Sequence, residues 1–101
     1  MTLRSDAYRI AVRELPCMLN VAGVACPTGP SVLCHCNMQG LGKGTGHKAV
    51  DVGSAGCPGC HAEVDSGKRL SRDDRQFYLL RGTVRTVAAL IESGILTIRR
   101  K

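Results

Sequence analysis

Tryptophan is absent from this chain of 101 residues, and its aromatic side chains amount to one Phe and two Tyr. Large aromatic rings supply much of the contact area of an ordinary core. A domain of this length buries only roughly 60–70% of the surface its unfolded chain exposes. The apolar share of 44% overstates the material available, because it includes six cysteines. A core this thin calls for a covalent or metal staple. Long apolar runs are also missing: nothing approaches the roughly 18 residues of a transmembrane helix, so no membrane role is expected. The opening residues Met1-Thr2-Leu3-Arg4-Ser5-Asp6 carry charges where a secretory leader would be apolar. The expected location is the cytoplasm, where thiols stay reduced and six cysteines point to metal or catalysis before disulfides.

Acidic residues are few, eight against fourteen Lys and Arg, and the imbalance is local. Residues 66–101 carry nine Lys/Arg against Asp73, Asp74 and Glu92, whereas the cysteine-rich middle is near neutral. A basic domain without a membrane segment favours a polyanion, nucleic acid first, over a merely soluble basic surface.

The length fits a single domain over residues 1–101. Residues 3–14 suit a short helix with Leu3, Ala7, Ile10 and Ala11 on one face, stopped by Pro16. Residues 31–37 read as a strand that separates Val32, Cys34 and Cys36 from Leu33, His35 and Asn37. A glycine-alternating loop from Gly40 to Gly46 follows, and residues 49–53 suit a returning strand. Cys57-Pro-Gly-Cys60 forms a tight knuckle, with a short helix expected over 61–65. The clearest helix covers residues 72–93, with Ser71 as N-cap and Gly94 as terminator. Phe77, Leu80, Val84, Val87 and Ile91 are expected to form its buried face. Leu79 and Leu90 make a second apolar patch, suited to the N-terminal helix or to a homodimer through this C-terminal helix. Residues 95–98 suit a last short strand.

Four cysteines form a plausible zinc site: Cys17 and Cys26 from one loop, Cys57 and Cys60 from the knuckle. Zn²⁺ takes four thiolates tetrahedrally, and a C-x-x-C pair places two of them on one ion. The eight-residue gap between Cys17 and Cys26 is unusual for the first pair. Cys57-Pro-Gly-Cys60-His61 also matches the attachment motif of c-type haem, but that needs export and leaves Cys17 and Cys26 without a role. Cys34 and Cys36 fit a buried small hydrophobe better than a redox pair. The order ligand pair, hairpin, ligand pair, helix is that of a treble clef. The expected fold is thus a small α+β, zinc-stapled treble clef with a long C-terminal helix. His61 and Asp65, four apart on a helix, share a face and could hold one hard divalent ion.

Several stretches together resemble the HNH (His-Me finger, ββα-metal) endonucleases, and within them the prophage nucleases of the YbcO type. They are Cys17…Val21-Ala-Gly-Val24…Cys26, Ser31-Val-Leu-Cys-His35, Gly44-Thr-Gly46…Asp51 and Cys57-Pro-Gly-Cys-His-Ala-Glu-Val-Asp65. The resemblance covers roughly residues 3–93. It implies a metal-dependent endonuclease, phage or prophage encoded, that hydrolyses phosphodiester bonds in nucleic acid, DNA first. His35 would be the general base and Asp51 its orienting partner, standing where the family usually has Asn. His61 and Asp65 would hold the catalytic Mg²⁺ or Mn²⁺. Cys34 stands where many HNH enzymes carry a metal-binding Asp or His. Lys43 and Lys48, with the glycine-rich backbone, and Arg72 and Arg75, with Arg81, Arg85 and the basic tail, would contact phosphates. The departures at Cys34 and Asp51 leave a second reading: a catalytically degenerate zinc module that binds DNA or a protein partner.

Overall fold

The computed structural model describes residues 5–26, 29–36 and 52–99. It is a small α+β arrangement of three helices and a two-stranded antiparallel sheet, in the order α1 (Asp6–Arg13), β1 (Val32–His35), β2 (Gly53–Gly56), α2 (Pro58–Asp65) and α3 (Arg72–Glu92). Lys43, Lys48 and Asp51, with the glycine-rich loop, lie outside the described residues.

Both terminal helices start where their caps dictate. Ser5 Oγ accepts the Tyr8 N–H at 3.1 Å, and Ser71 Oγ accepts the Asp74 N–H at 3.1 Å, each satisfying a first-turn donor that has no intrahelical partner. Gly94, at φ +80°, ends the chain's regular path after α3, a left-handed conformation that glycine adopts without a Cβ penalty. The turn is closed by Gly94 N–H to Ile91 O and Leu96 N–H to Leu90 O, both 3.0 Å.

β1 and β2 pair with Val32 opposite Gly56 and His35 opposite Gly53. The second strand lies later than the expected 49–53 segment and consists of Gly-Ser-Ala-Gly, all four buried. These residues have little intrinsic preference for strands. What holds them there is α3, which crosses β2 at backbone distance. Gly82 in α3 sits so close to Ser54 that a Cβ would overlap its Oγ and lie 3.1 Å from Leu19 Cδ2. One turn on, Thr86 Oγ1 accepts the Ala55 N–H at 2.9 Å and donates to the Gly82 carbonyl at 2.7 Å. Met18 N–H reaches the Ala55 carbonyl at 2.9 Å. Both polar groups of Ala55 that face away from β1 are thereby paired, as buried backbone requires.

This docking reverses the expected orientation of α3. Its buried residues are Leu79, Gly82, Thr86 and Leu90, whereas Phe77, Leu80, Val84 and Ile91 are 55%, 49%, 62% and 41% exposed. The face that fits a strand of small residues is the one that is itself small, and size rather than hydropathy decides the contact. Leu79 and Leu90 are therefore core residues of the monomer and not a subunit interface. The short helix differs likewise: α1 buries Ala11 and Val12 and leaves Ile10 exposed. Residues 95–98 form no strand.

Gly82→Ala should lower stability by about 1–3 kcal/mol, the usual cost of overpacking. On an exposed helical site the same change would add about 1 kcal/mol through propensity, so the sign is diagnostic. Urea denaturation followed by circular dichroism measures it, and an increase in stability would contradict the close crossing.

Candidate metal centre and active site

The loop from Cys17 to Cys26 has no regular secondary structure, so its backbone groups need partners from elsewhere. Helix α3 and the residues before it provide them. Arg81 donates to Leu19 O at 2.9 Å, Arg85 to Met18 O at 3.0 Å and Asn20 Oδ1 at 2.7 Å, and Arg69 to Ala22 O at 3.0 Å. Tyr78 Oη accepts the Ala22 N–H at 3.4 Å. The Arg81 guanidinium also lies 5.2 Å from the ring centres of both Phe77 and Tyr78. Arg75, a candidate phosphate contact, donates to Gly67 O at 2.5 Å and Leu70 O at 3.4 Å. Arg72 is exposed.

The knuckle is the first turn of α2. Cys57 is its N-cap, with Sγ accepting the Cys60 N–H at 3.4 Å, and Pro58 occupies a position where no N–H is needed. Opposite it, the loop brings in Cys17 and Cys26. The four sulfurs lie within 4.8 Å of one another, and Cys26 and Cys60 are 3.6 Å apart. A tetrahedral zinc with bonds of about 2.3 Å sets its sulfurs about 3.8 Å apart, so the cage has the size of a four-thiolate site. Backbone N–H groups already face the sulfurs, from Asn20 to Cys17 at 3.5 Å and from Val21 to Cys60 at 3.4 Å.

Four thiols this close cannot all ionise without a cation among them. Burial pushes Cys60 and Cys26 up. Burial also acts on Cys17, but hydrogen bonds from the Asn20 and Cys57 backbone and from its thiol neighbours outweigh it and bring it down to about 7. Cys17 is thus the first thiolate of the site. A divalent ion held among them would supply the charge that lets the others follow.

Cys34 stands apart from this chemistry. It is 1% exposed, and burial, with Coulombic repulsion from Cys17, Cys57 and Asp65, pushes its thiol up to about 12. A Cβ on Gly56 would meet its sulfur at 2.7 Å, which shows how tightly the core closes around it. Cys34 and Cys36 serve as core residues beside Leu19 and Val21.

His35 ends β1 on the other side of the strand and is half-buried. Its register partner is Gly53, whose missing Cβ would overlap the Cys34 carbonyl and lie 3.0 Å from His35 Cα. Tyr8 donates its hydroxyl to the Gly53 carbonyl at 2.8 Å, so α1 pins the strand position across from His35. No sequence pattern marks Tyr8 for this role, because the bond spans 45 residues. His61 and Asp65 both lie on α2, the first half-buried and the second exposed. Among the described residues, the four cysteines are the one group of three or more metal-ligating side chains; His35, His61 and Asp65 do not converge into another.

One tightly bound zinc per chain is expected by elemental analysis, lost in Cys60→Ser and retained in Cys34→Ala. Chelation should abolish cooperative thermal unfolding, since a structural site contributes on the order of 10 kcal/mol. Affinity should fall steeply below about pH 7, where Cys17 also holds a proton that the metal must displace. A competition titration against a zinc-sensitive dye across pH reads this directly.

The resemblances follow the same architecture. A solved structure described as a putative bacteriophage protein from Escherichia coli matches with a TM-score of 0.59 and 23% identity, over 85% of this chain and 98% of that one. This likeness is one of fold. No curated protein matches the sequence. The model of the family described as "Putative nuclease YbcO" matches residues 6–95, from the start of α1 to just past the end of α3. The chain belongs to that family.

Proposed function

We propose that this protein is a metal-dependent endonuclease of the HNH type, built on a zinc-stapled treble clef and acting on DNA. The observation that carries the reading is the nuclease family's span over the whole β1–β2–α2 unit. In that unit α2 contacts both strands, so the helix bearing His61 and Asp65 and the strand bearing His35 are neighbouring elements of one sheet-and-helix unit. The cysteine cage lies at the N-terminal end of α2 and ties it to the loop.

In the proposed reaction His35 takes a proton from a water whose oxygen attacks the phosphorus. The bond from phosphorus to the 3′ oxygen breaks in the same displacement. Asp51 is our candidate for the acceptor of the other ring N–H. His61 and Asp65, one turn apart, would hold a hydrated Mg²⁺ or Mn²⁺, ions that use few protein ligands and keep several waters. When bound, that ion supplies Lewis-acid stabilisation of the charge on the leaving 3′ oxygen. Arg72, with Lys43 and Lys48, would contact flanking phosphates without reading sequence.

Nicking of supercoiled plasmid at low salt tests the proposal, with Mg²⁺, Mn²⁺ and EDTA compared for zinc-loaded wild type and His35→Ala. Cleavage should need the added ion and drop at least about 100-fold in the variant, the usual contribution of a general base. Equal cleavage by both proteins would remove His35 from the mechanism. Binding of DNA without cleavage by either would point to the degenerate zinc module instead.

A further inference from the structure

The face of α3 that turns away from β2 has a pattern of its own. Phe77, Leu80, Val84, Val87 and Ile91 follow one another at steps of three, four, three and four residues. That is the a/d seam of a coiled coil over two heptads. An amphipathic helix on a small domain normally turns such a seam inward, yet four of the five are 41–62% exposed. The positions flanking the seam include Gln76, Thr83 and Ala88, and Arg81, whose guanidinium is drawn back to the Leu19 carbonyl and lies 5.2 Å from the Phe77 ring centre.

The seam runs into a groove. Tyr8 and Ala11 of α1, Val52, and Val87, Leu90 and Leu96 line an apolar cleft of about 440 Å³. Val87 belongs to both, so groove and seam form one continuous surface.

We infer that this surface pairs with a second copy of itself, as an antiparallel helix pair across a two-fold axis. Antiparallel seams set each a residue against a d residue of the partner helix. Here Phe77 of one copy meets Val87 of the other, and Leu80 meets Val84. The bulkiest exposed ring then stands at the mouth of the other copy's groove, and the two-fold makes the contact twice. A parallel pair would instead place Asp73, itself at a d position, directly against its own copy. The antiparallel register separates these carboxylates by about 30 Å and sets each Asp73 beside Ile91 of the other copy, at the exposed end of the pair. The exposed seam and the groove rim offer about 500 Å² per copy, or about 1,000 Å² in all, the lower bound for a specific association. A reversible dimer follows, formed through the exposed seam of α3 and the groove that adjoins it.

Sedimentation equilibrium of the reduced, zinc-loaded, nucleic-acid-free protein tests this between about 5 and 500 µM, the span over which micromolar association becomes visible. The weight-average mass should rise from monomer towards dimer. Val84→Asp and Leu80→Gln, both at exposed positions, should weaken association at least tenfold with unchanged circular dichroism and zinc content. Asp73→Asn should leave it within twofold. A monomer at the highest concentration, or seam variants that associate like wild type, would overturn the dimer. A tenfold gain in Asp73→Asn would overturn its antiparallel sense. None of these readouts depends on nuclease activity.

Discussion

The close crossing of α3 over β2 organises the molecule. A strand made of Gly53, Ser54, Ala55 and Gly56 carries no side chain larger than a hydroxymethyl group, and all four residues are buried. The helix can therefore lie on it with Gly82 against Ser54 and Thr86 in place of a third strand's hydrogen-bonding edge. Few apolar atoms are buried in such a contact, so hydrophobic transfer gives it less than a leucine-filled interface of the same length would give. The close approach gains dispersion and hydrogen bonding instead. A core with one Phe, two Tyr and no Trp is consistent with that choice.

The same crossing sets the cysteine cage. With α3 held on β2, Arg81 and Arg85 face the carbonyls of the loop that carries Cys17 and Cys26, while β2 leads directly into Cys57. Four thiolates around one divalent ion would leave two negative charges at the centre. The guanidinium groups that clasp the loop satisfy its backbone, and their positive charge would oppose that of a loaded site. Arginine suits this work because its planar fork holds several acceptors in fixed directions and keeps its proton.

What could be read from the sequence, and what could not, follows the same division. The cluster of four cysteines was legible because thiolate chemistry restricts the candidates to a few residues, and a C-x-x-C turn is local. The extent of α3 was legible from Ser71 and Gly94, whose roles depend only on nearby backbone. The burial of α3 was not legible, since the large apolar side chains at 77, 80, 84, 87 and 91 outweigh Gly82 and Thr86 on any hydropathy argument. Only the identity of the opposing strand reverses that choice. The strand was itself hidden, because Gly-Ser-Ala-Gly resembles a loop until a helix is placed on it. Tyr8 belongs to the same class: its bond to Gly53 links elements 45 residues apart, and neither partner marks the other.

The arginine contacts also change what the net charge of +6 means. The excess resides in the C-terminal third, and a reading from composition assigns it to phosphates. Arg69, Arg75, Arg81 and Arg85 donate to backbone carbonyls, chiefly of the cysteine loop. A guanidinium engaged in this way still contributes to the long-range field, but it has fewer directions left for a phosphate. In the proposed nuclease, the charge that would attract a polyanion and the groups that would grip it therefore overlap only in part. For the proposed nuclease, close contact falls to exposed cations such as Arg72, and replacing Arg81 or Arg85 would act first on the metal loop. A loss of nucleic-acid binding in such a variant carries mechanistic weight only when its zinc content is unchanged.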